Sequence, residues 1–506
     1  MRSFRTLLRS TVFTSVLIAS VLGLPAAPSI RQKYSGDPDS LAVLQSIKYH
    51  ALKQSHAYQY VQELSDNIGP RLTGSPGALA ACNWAVQKMK KIGLQDVHLE
   101  PWRLSRGWHR GIANAELTVP FREPLNIVSY GWVGSTAKGG IEAEVIAVNS
   151  DALGDEIKQH AKNWKGKILF LTPLSLKRTN PIRVFSQLGS LLTAASKAHA
   201  VAVISSTGRP GTMLTHTGPA VFRDIYFPIP LVDIAPEHNQ LLQRFFAARK
   251  PVMINIDVEN TVSPSTVLSY NVVGDIPGSV HPDEYVILGA HIDSWDLATG
   301  SVDDGFGVAS VLGSAEAIAA QQVRPLRTIR FVLFTGEEEG LLGSLAYVQT
   351  HRKELPNIIT AFAMDWGTGL ISKFPLAGHE ELTSSFEHFS QIISDITEVH
   401  VDSSYLSFTD GYSFTMAGVP GIAPLLNSPT YAMVGHSAAD TLDKIDRKYL
   451  AQDTAIYAAM GFWVANYPSR LGIQWTPQQA AKILTRDNQK TMLDLFGLWP
   501  HVTGKG

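Results

Sequence analysis

The sequence predicts an α/β protein: a mostly parallel mixed sheet with helices on both faces, interrupted by a β-rich insert. Three observations predict it. Strand-length apolar runs at 285–290, 328–334 and 358–364 alternate with helical patterns, the signature of a parallel sheet covered on both sides. Between about residues 111 and 265 the texture changes to short β-rich runs. Metal-ligating residue types also follow several of the later strands, and open α/β sheets bind ligands at that edge.

Taken in order, the chain opens with Arg2, Arg5 and Arg9 before an apolar run, 11–24, that leads into Pro25-Ala26-Ala27-Pro28. That pattern predicts a signal peptide over 1–27, and the run is shorter than the ~20 residues needed to span a bilayer. A secreted or periplasmic protein without stable membrane insertion is therefore expected. A polar arm occupies 28–42, and the first part of the main domain, 43–110, follows. Helical patterns cover 44–68 and 78–92, the second ending at Gly93, and 95–102 alternates as a strand. The insert, 111–265, contains AELTV, NIVSYGWV, GIEAEVIAV, GKILFLTP, AVAVISS and PIPLVDI, with helices at 189–199 and in EHNQLLQRFFAA. Residues 266–470 resume the first domain, with EEEGLLGSLAYVQTH read as a helix. In the helical tail, 471–506, Thr476 and Gln479 form a capping-box pattern that opens a last helix.

At 506 residues, 45% hydrophobic and 17% charged, the chain is long enough for two domains and an ample core. A formal net charge of −1 leaves no electrostatic case for nucleic acid or an anionic membrane. Cys82 is the only cysteine, so no intramolecular disulfide is possible and stability must come from core burial. The absence of an acceptor Asn-x-Ser/Thr fits a bacterial periplasm or medium better than a glycosylating secretory pathway.

The chemistry gathers around EYVILGAHIDSWDLATGSVDD, residues 284–304. One buried strand ends there in His291, Asp293 and Asp296, and Asp303-Asp304 precede a glycine turn into a small-residue helix. Later strand ends offer Glu337, Glu338 and Glu339, then Asp365, and His436 follows the last strand. Singly, a strand-end Asp reads as an N-cap and Glu-Glu-Glu as a solvated first helical turn. Jointly, they read as a metal centre. Two His, two Asp and one Glu set three negative charges against the four of two divalent ions, and mixed imidazole and carboxylate ligation suits Zn²⁺. Two close metals need a bridging carboxylate, for which Asp303 is the candidate. Asp293 and Asp440 stand near enough in sequence to His291 and His436 to fix an imidazole tautomer.

His291-x-Asp293, Asp303-Asp304-Gly305, Glu337-Glu338, Asp365 and His436-x-x-x-Asp440 together resemble the co-catalytic di-zinc aminopeptidase and glutamate carboxypeptidase family. HIDSWD and the GSPG of 74–77 bring the resemblance closest to its carboxypeptidase Q branch, over nearly the whole mature chain. The resemblance implies the zinc exopeptidase fold, a protease-associated-like insert and two zinc ions. One ion would sit on His291, Asp303 and Asp365, the other on Asp303, Glu338 and His436. It further implies Glu337 as general base, Asp293 as the residue orienting His291, Asp440 behind His436, a cis Asp303–Asp304 bond and a possible homodimer. Ala298, the GFG of 305–307 and Gly411 depart from the branch pattern in loops around the pocket, which bears on substrate preference.

The expected reaction is exopeptidase hydrolysis of short peptides, foremost dipeptides with free termini. Aminopeptidase action is the alternative. Arg71, Tyr405, Ser407 and Tyr412 are candidates for terminus or oxyanion recognition, with a packed loop role favoured for both tyrosines. Two readings from other classes are a catalytically silent, receptor-like scaffold and a single-zinc acyltransferase similar to glutaminyl cyclase.

Overall fold

The computed structural model describes residues 38–174, 181–206 and 226–505. The predicted signal peptide and most of the N-terminal arm lie outside them. Among the described residues, no helix is long and apolar enough to cross a membrane.

The fold is mixed α/β. Its central sheet has six strands in the order Gln95–Leu104, Val267–Ile276, Arg327–Phe334, His281–His291, Ile358–Met364 and Gly421–Ile422. The first two pairings are antiparallel and the remaining three parallel. The inner strands are apolar on both faces because both are covered; every residue of Arg327–Phe334 and of Ile358–Met364 is buried. Helix Phe306–Ala319 and the buried stretch of helix Arg447–Ala465 are apolar almost all round and pack together under the sheet.

Local chemistry sets the element ends. Helix Pro76–Ile92 starts at Ser75, whose Oγ accepts the Ala78 N–H at 3.1 Å, and stops at Gly93 in the left-handed region, φ +98°. The single helical pattern expected over 44–68 is instead two helices, Pro38–Lys53 and Ala57–Glu63, and a π turn, Leu64–Ile68. The chain breaks at Ser55-His56, where the Ser55 hydroxyl accepts the Ala57 N–H and Glu316 takes the His56 backbone N–H. The Thr476–Gln479 capping box forms as expected, but two further helices, Lys490–Phe496 and Trp499–Val502, follow the one it opens.

Between the first two strands of the central sheet the chain builds a second, eight-stranded sheet. Its strands Ile141–Val148, Ile168–Leu171, Ala202–Ser205 and Leu231–Ile234 run parallel. Helices Leu153–His160, Pro181–Lys197 and Pro236–Ala247 accompany them, so this segment is itself α/β rather than β-dominated. Ile168 and Phe170 enter one apolar cluster while Leu169 and Leu171 enter another, which is strand alternation with both faces buried.

Candidate metal centre

The site arises from topology. Strand His281–His291 lies in the middle of the parallel run, and the chain leaves it first to the neighbour Arg327–Phe334 and then crosses to the neighbour Ile358–Met364. Three strands therefore end side by side, at His291, just before Glu337, and at Asp365. A fourth contribution, His436, comes from the chain after helix Pro429–Val434 and takes a left-handed φ of +56°. Strain of that kind persists where the surroundings enforce it.

These residues form two groups able to hold a metal ion: His291, Asp303 and Asp365, and Asp303, Glu338 and His436. Asp303 belongs to both. Its Oδ1 lies 3.1 Å from Nε2 of His291, and its Oδ2 lies 3.1 Å from Nε2 of His436. Nε2 of His436 is also 3.1 Å from Oε2 of Glu338, and Nε2 of His291 is 3.7 Å from Oδ1 of Asp365. The Asp303–Asp304 peptide bond is cis. The Asp304 carboxylate accepts the N–H groups of His291 and Gly307, and only a glycine at 307 leaves room for it, since a Cβ there would lie 2.3 Å from Oδ2.

Charge is concentrated at this point. Burial first, then neighbouring carboxylates, push Glu337, Glu338, Glu339, Asp304 and Asp365 above the ordinary carboxylate range. Burial opposes protonation of His291, yet its bonds to Asp293, Asp303 and Asp365 raise its pKa well above 6.5. Burial likewise pushes Asp303 up, but His291 and His436 pull it far below the usual range. Buried carboxylates with too few cations around them, beside two imidazoles, make a donor set that fits divalent zinc-type ions.

The three glutamates do not begin a solvated helix as residue type alone suggests. The helix begins only at Leu342, and Glu337-Glu338-Glu339 sit in a tight turn, with Glu338 and Glu339 buried. Asp293 shapes that turn: its carboxylate accepts the N–H groups of Glu337 at 3.5 Å and Glu338 at 3.4 Å, and the Thr73 hydroxyl donates to it at 2.8 Å. Its Oδ1 is 3.6 Å from Nδ1 of His291, and its backbone carbonyl 3.2 Å. Asp293 thus stands beside the imidazole and also anchors the glutamate turn.

Asp440 differs from expectation. It holds no bond to His436; its carboxylate accepts the backbone N–H groups of Val302 and Asp303, so it fixes the loop that presents Asp303. Arg71 is fully buried and directs four of its five N–H donors at the carbonyls of Ile292, Gly69, Thr299 and Gly300, so burial and these bonds withdraw it from a substrate carboxylate. Asp296 pairs with Arg110. Tyr405 donates to Asp487, and Ser407 and Tyr412 to Gln489, in the apolar cluster under the tail, so the packed role favoured for the tyrosines holds.

Two neighbours escaped the sequence reading. Tyr431 donates its hydroxyl to Oδ2 of Asp303 at 3.0 Å, and its ring stacks on Trp366. Trp295 meets His436 edge to face, with Trp132 of the second sheet's segment packed behind it. Tyr431 stands in no periodic pattern or ligand-type spacing, whereas Trp295 lies within the HIDSWD motif without being a ligand residue type.

Comparison with known proteins agrees with this geometry. Residues 271–460 match Peptidase family M28. Human carboxypeptidase Q is 28% identical over 442 residues, which cover 87% of this chain and 92% of that protein. The crystal structure of a peptidase M28 precursor from Shewanella amazonensis SB2B superposes with a TM-score of 0.76 at 29% identity, covering 87% of this chain and 99% of that one. A zinc aminopeptidase from Bacillus subtilis shares the fold, with a TM-score of 0.61 at 21% identity over 80% of this chain and 94% of its own.

Proposed function

We propose, from the match of residues 271–460 to Peptidase family M28, a zinc-dependent exopeptidase that hydrolyses short peptides, foremost dipeptides with both termini free. The observation that carries the reading is one carboxylate, Asp303, shared between two ligand groups. In this reading two ions are held, one by His291, Asp303 and Asp365, the other by Asp303, Glu338 and His436. Bound there, they would activate a water and polarise the scissile carbonyl. Glu337 stands beside the ligand Glu338 on the turn anchored by Asp293, and is itself outside both ligand groups. It is the group free to accept the water's proton and return it to the departing amine. His291 and Asp365 on one side, and Glu338 and His436 on the other, serve as fixed donors.

The dipeptide preference rests on similarity to carboxypeptidase Q along most of the chain. Aminopeptidase action is the second reading, and the burial of Arg71 favours it by withdrawing the candidate clamp for an α-carboxylate. The same reading takes the second sheet's segment as a protease-associated-like domain and the protein as extracytoplasmic.

Product analysis by mass spectrometry on zinc-loaded protein tests this. The substrates are a free dipeptide, its N-acetylated and C-amidated forms, and one longer peptide. Cleavage of the free dipeptide alone supports the dipeptidase reading. A ladder from the N-terminus, with the amidated form also cleaved, makes the protein an aminopeptidase. No cleavage of any substrate with two metals bound returns the silent scaffold.

A further inference from the structure

We propose that Tyr431 is a positioning residue for Asp303, and that its hydroxyl sets how tightly the Asp303–Glu338–His436 half of the site holds its ion. The inference rests on the two-metal reading above.

The phenol is one of three groups on the Asp303 carboxylate, and it favours one oxygen. Oδ1 faces Nε2 of His291, whereas Oδ2 faces Nε2 of His436 and receives the Tyr431 hydroxyl at 3.0 Å. A carboxylate oxygen has two lone pairs, so Oδ2 can accept the phenol and still serve as a ligand atom. Asp440 fixes the Asp303 backbone from below, through its N–H, and does nothing to the rotation of the side chain. Among the described residues, Tyr431 is the neutral donor that reaches this carboxylate, and its bond falls on Oδ2, the oxygen that faces the His436 half.

The hydroxyl is aimed by a rigid frame. Ser428 accepts the Tyr431 backbone N–H at 3.3 Å and donates to the carbonyl of Thr368 at 2.6 Å, tying helix Pro429–Val434 to the chain just past Asp365. The ring stacks on Trp366, with centroids 5.6 Å apart and planes at 25°. Gly367 makes the approach possible: its φ is +88°, and a Cβ there would lie 2.7 Å from Cβ of Tyr431. The residues that follow one ligand, Asp365, therefore position a donor for another.

Partners of ligating carboxylates typically change metal affinity by about 10- to 100-fold when removed. Tyr431→Phe keeps the ring and its stacking and deletes only the hydroxyl. The test is calorimetric titration of metal-free wild type and Tyr431→Phe with zinc, with the melting temperature of each metal-free protein measured alongside. The expected result is two ions in wild type and, in Tyr431→Phe, one ion bound as before and one weakened by about 10- to 100-fold, with an unchanged metal-free melting temperature. Two ions bound by Tyr431→Phe as tightly as by wild type would overturn the role of Tyr431 alone. Equal weakening of both ions, or a lower metal-free melting temperature, would make the tyrosine a packing residue and also overturn it. Fewer than two ions in wild type would instead remove the two-metal reading, and this inference with it.

Discussion

The Asp440 carboxylate accepts the backbone N–H of Asp303 at 3.1 Å and, with its other oxygen, that of Val302 at 2.6 Å. Burial, then the charge of Asp303, pushes its pKa up to about 7, while these two N–H bonds and Arg71 pull the other way. The loop that presents the shared ligand therefore depends on one side chain 137 residues further along the chain. Asp440→Ala is expected to weaken metal binding at both halves of the site by about 10- to 100-fold, because the shared ligand itself loses its support. Asp440→Asn keeps one acceptor and falls between. Zinc titration of the two variants checks the order, and a loss confined to the His436 side would contradict it.

In the proposed reading, adjacent glutamates divide the roles of base and ligand. Glu337→Gln is expected to lower kcat by about 100- to 10,000-fold and to leave zinc stoichiometry unchanged. Glu338→Gln removes the charge that bonds His436 at 3.1 Å and is expected to lose one ion together with activity. Metal analysis after dialysis, paired with peptide hydrolysis rates, distinguishes them. Identical metal loss in both variants would sink the division of labour.

Metal removal follows from the same charges. A ligand bound only by the folded state stabilises it by about 2.7 kcal/mol at a hundredfold excess over its Kd. Chelation is thus expected to abolish hydrolysis and lower Tm, with both restored by zinc. A chelator-insensitive activity would contradict the metal reading.

Arg71 tests what the sequence could and could not carry. Its residue type suits an α-carboxylate clamp, and nothing in the sequence distinguishes that from its actual place, where it bonds four carbonyls from two segments more than 200 residues apart. Arg71→Lys leaves several buried carbonyls unpaired at about 1–3 kcal/mol each, so a large fall in Tm is expected. A raised KM at unchanged Tm would instead restore the substrate role.

The central sheet was readable because its strands are continuous apolar runs and its ligand residues follow strand ends, a local signal. His291, Asp303, Glu338, Asp365 and His436 converge as that signal suggests. What escaped depends on contacts between distant segments. Tyr431 reaches Asp303 across 128 residues, Thr73 reaches Asp293 across 220, and Asp440 bonds backbone rather than its sequence neighbour His436. The second sheet's helices leave a weaker mark in the sequence than its short, β-branched strands. Residue type at Glu337–Glu339 suggests a helix start, although burial of Glu338 and Glu339 and the Asp293 anchor hold the turn out of the helix.

A pH dependence of stability is expected away from the site, at His351 and Glu100. Nε2 of His351 lies 2.9 Å from Oε1 of Glu100, Nδ1 lies 3.2 Å from Glu354, and the ring stacks on Tyr347. His98 also reaches Glu100, and Arg330 reaches Glu354. Burial opposes the charged imidazole, yet Glu100 and Glu354 raise the His351 pKa above 6.5. Burial also opposes the Glu100 carboxylate, which His351 and His98 nevertheless hold below 4.5. A raised histidine pKa gives stability that is complete below 6.5 and is lost as pH rises through the folded value. A lowered glutamate pKa gives stability that is present above 4.5 and is lost as pH falls through the folded value. The pair therefore contributes most between those two limits and fades on the alkaline side. His351→Gln is expected to lower Tm at pH 6 by more than at pH 9, with zinc-site activity measured in parallel as a control. A pH-independent difference between wild type and His351→Gln would show that the ring stabilises the fold by stacking on Tyr347 alone.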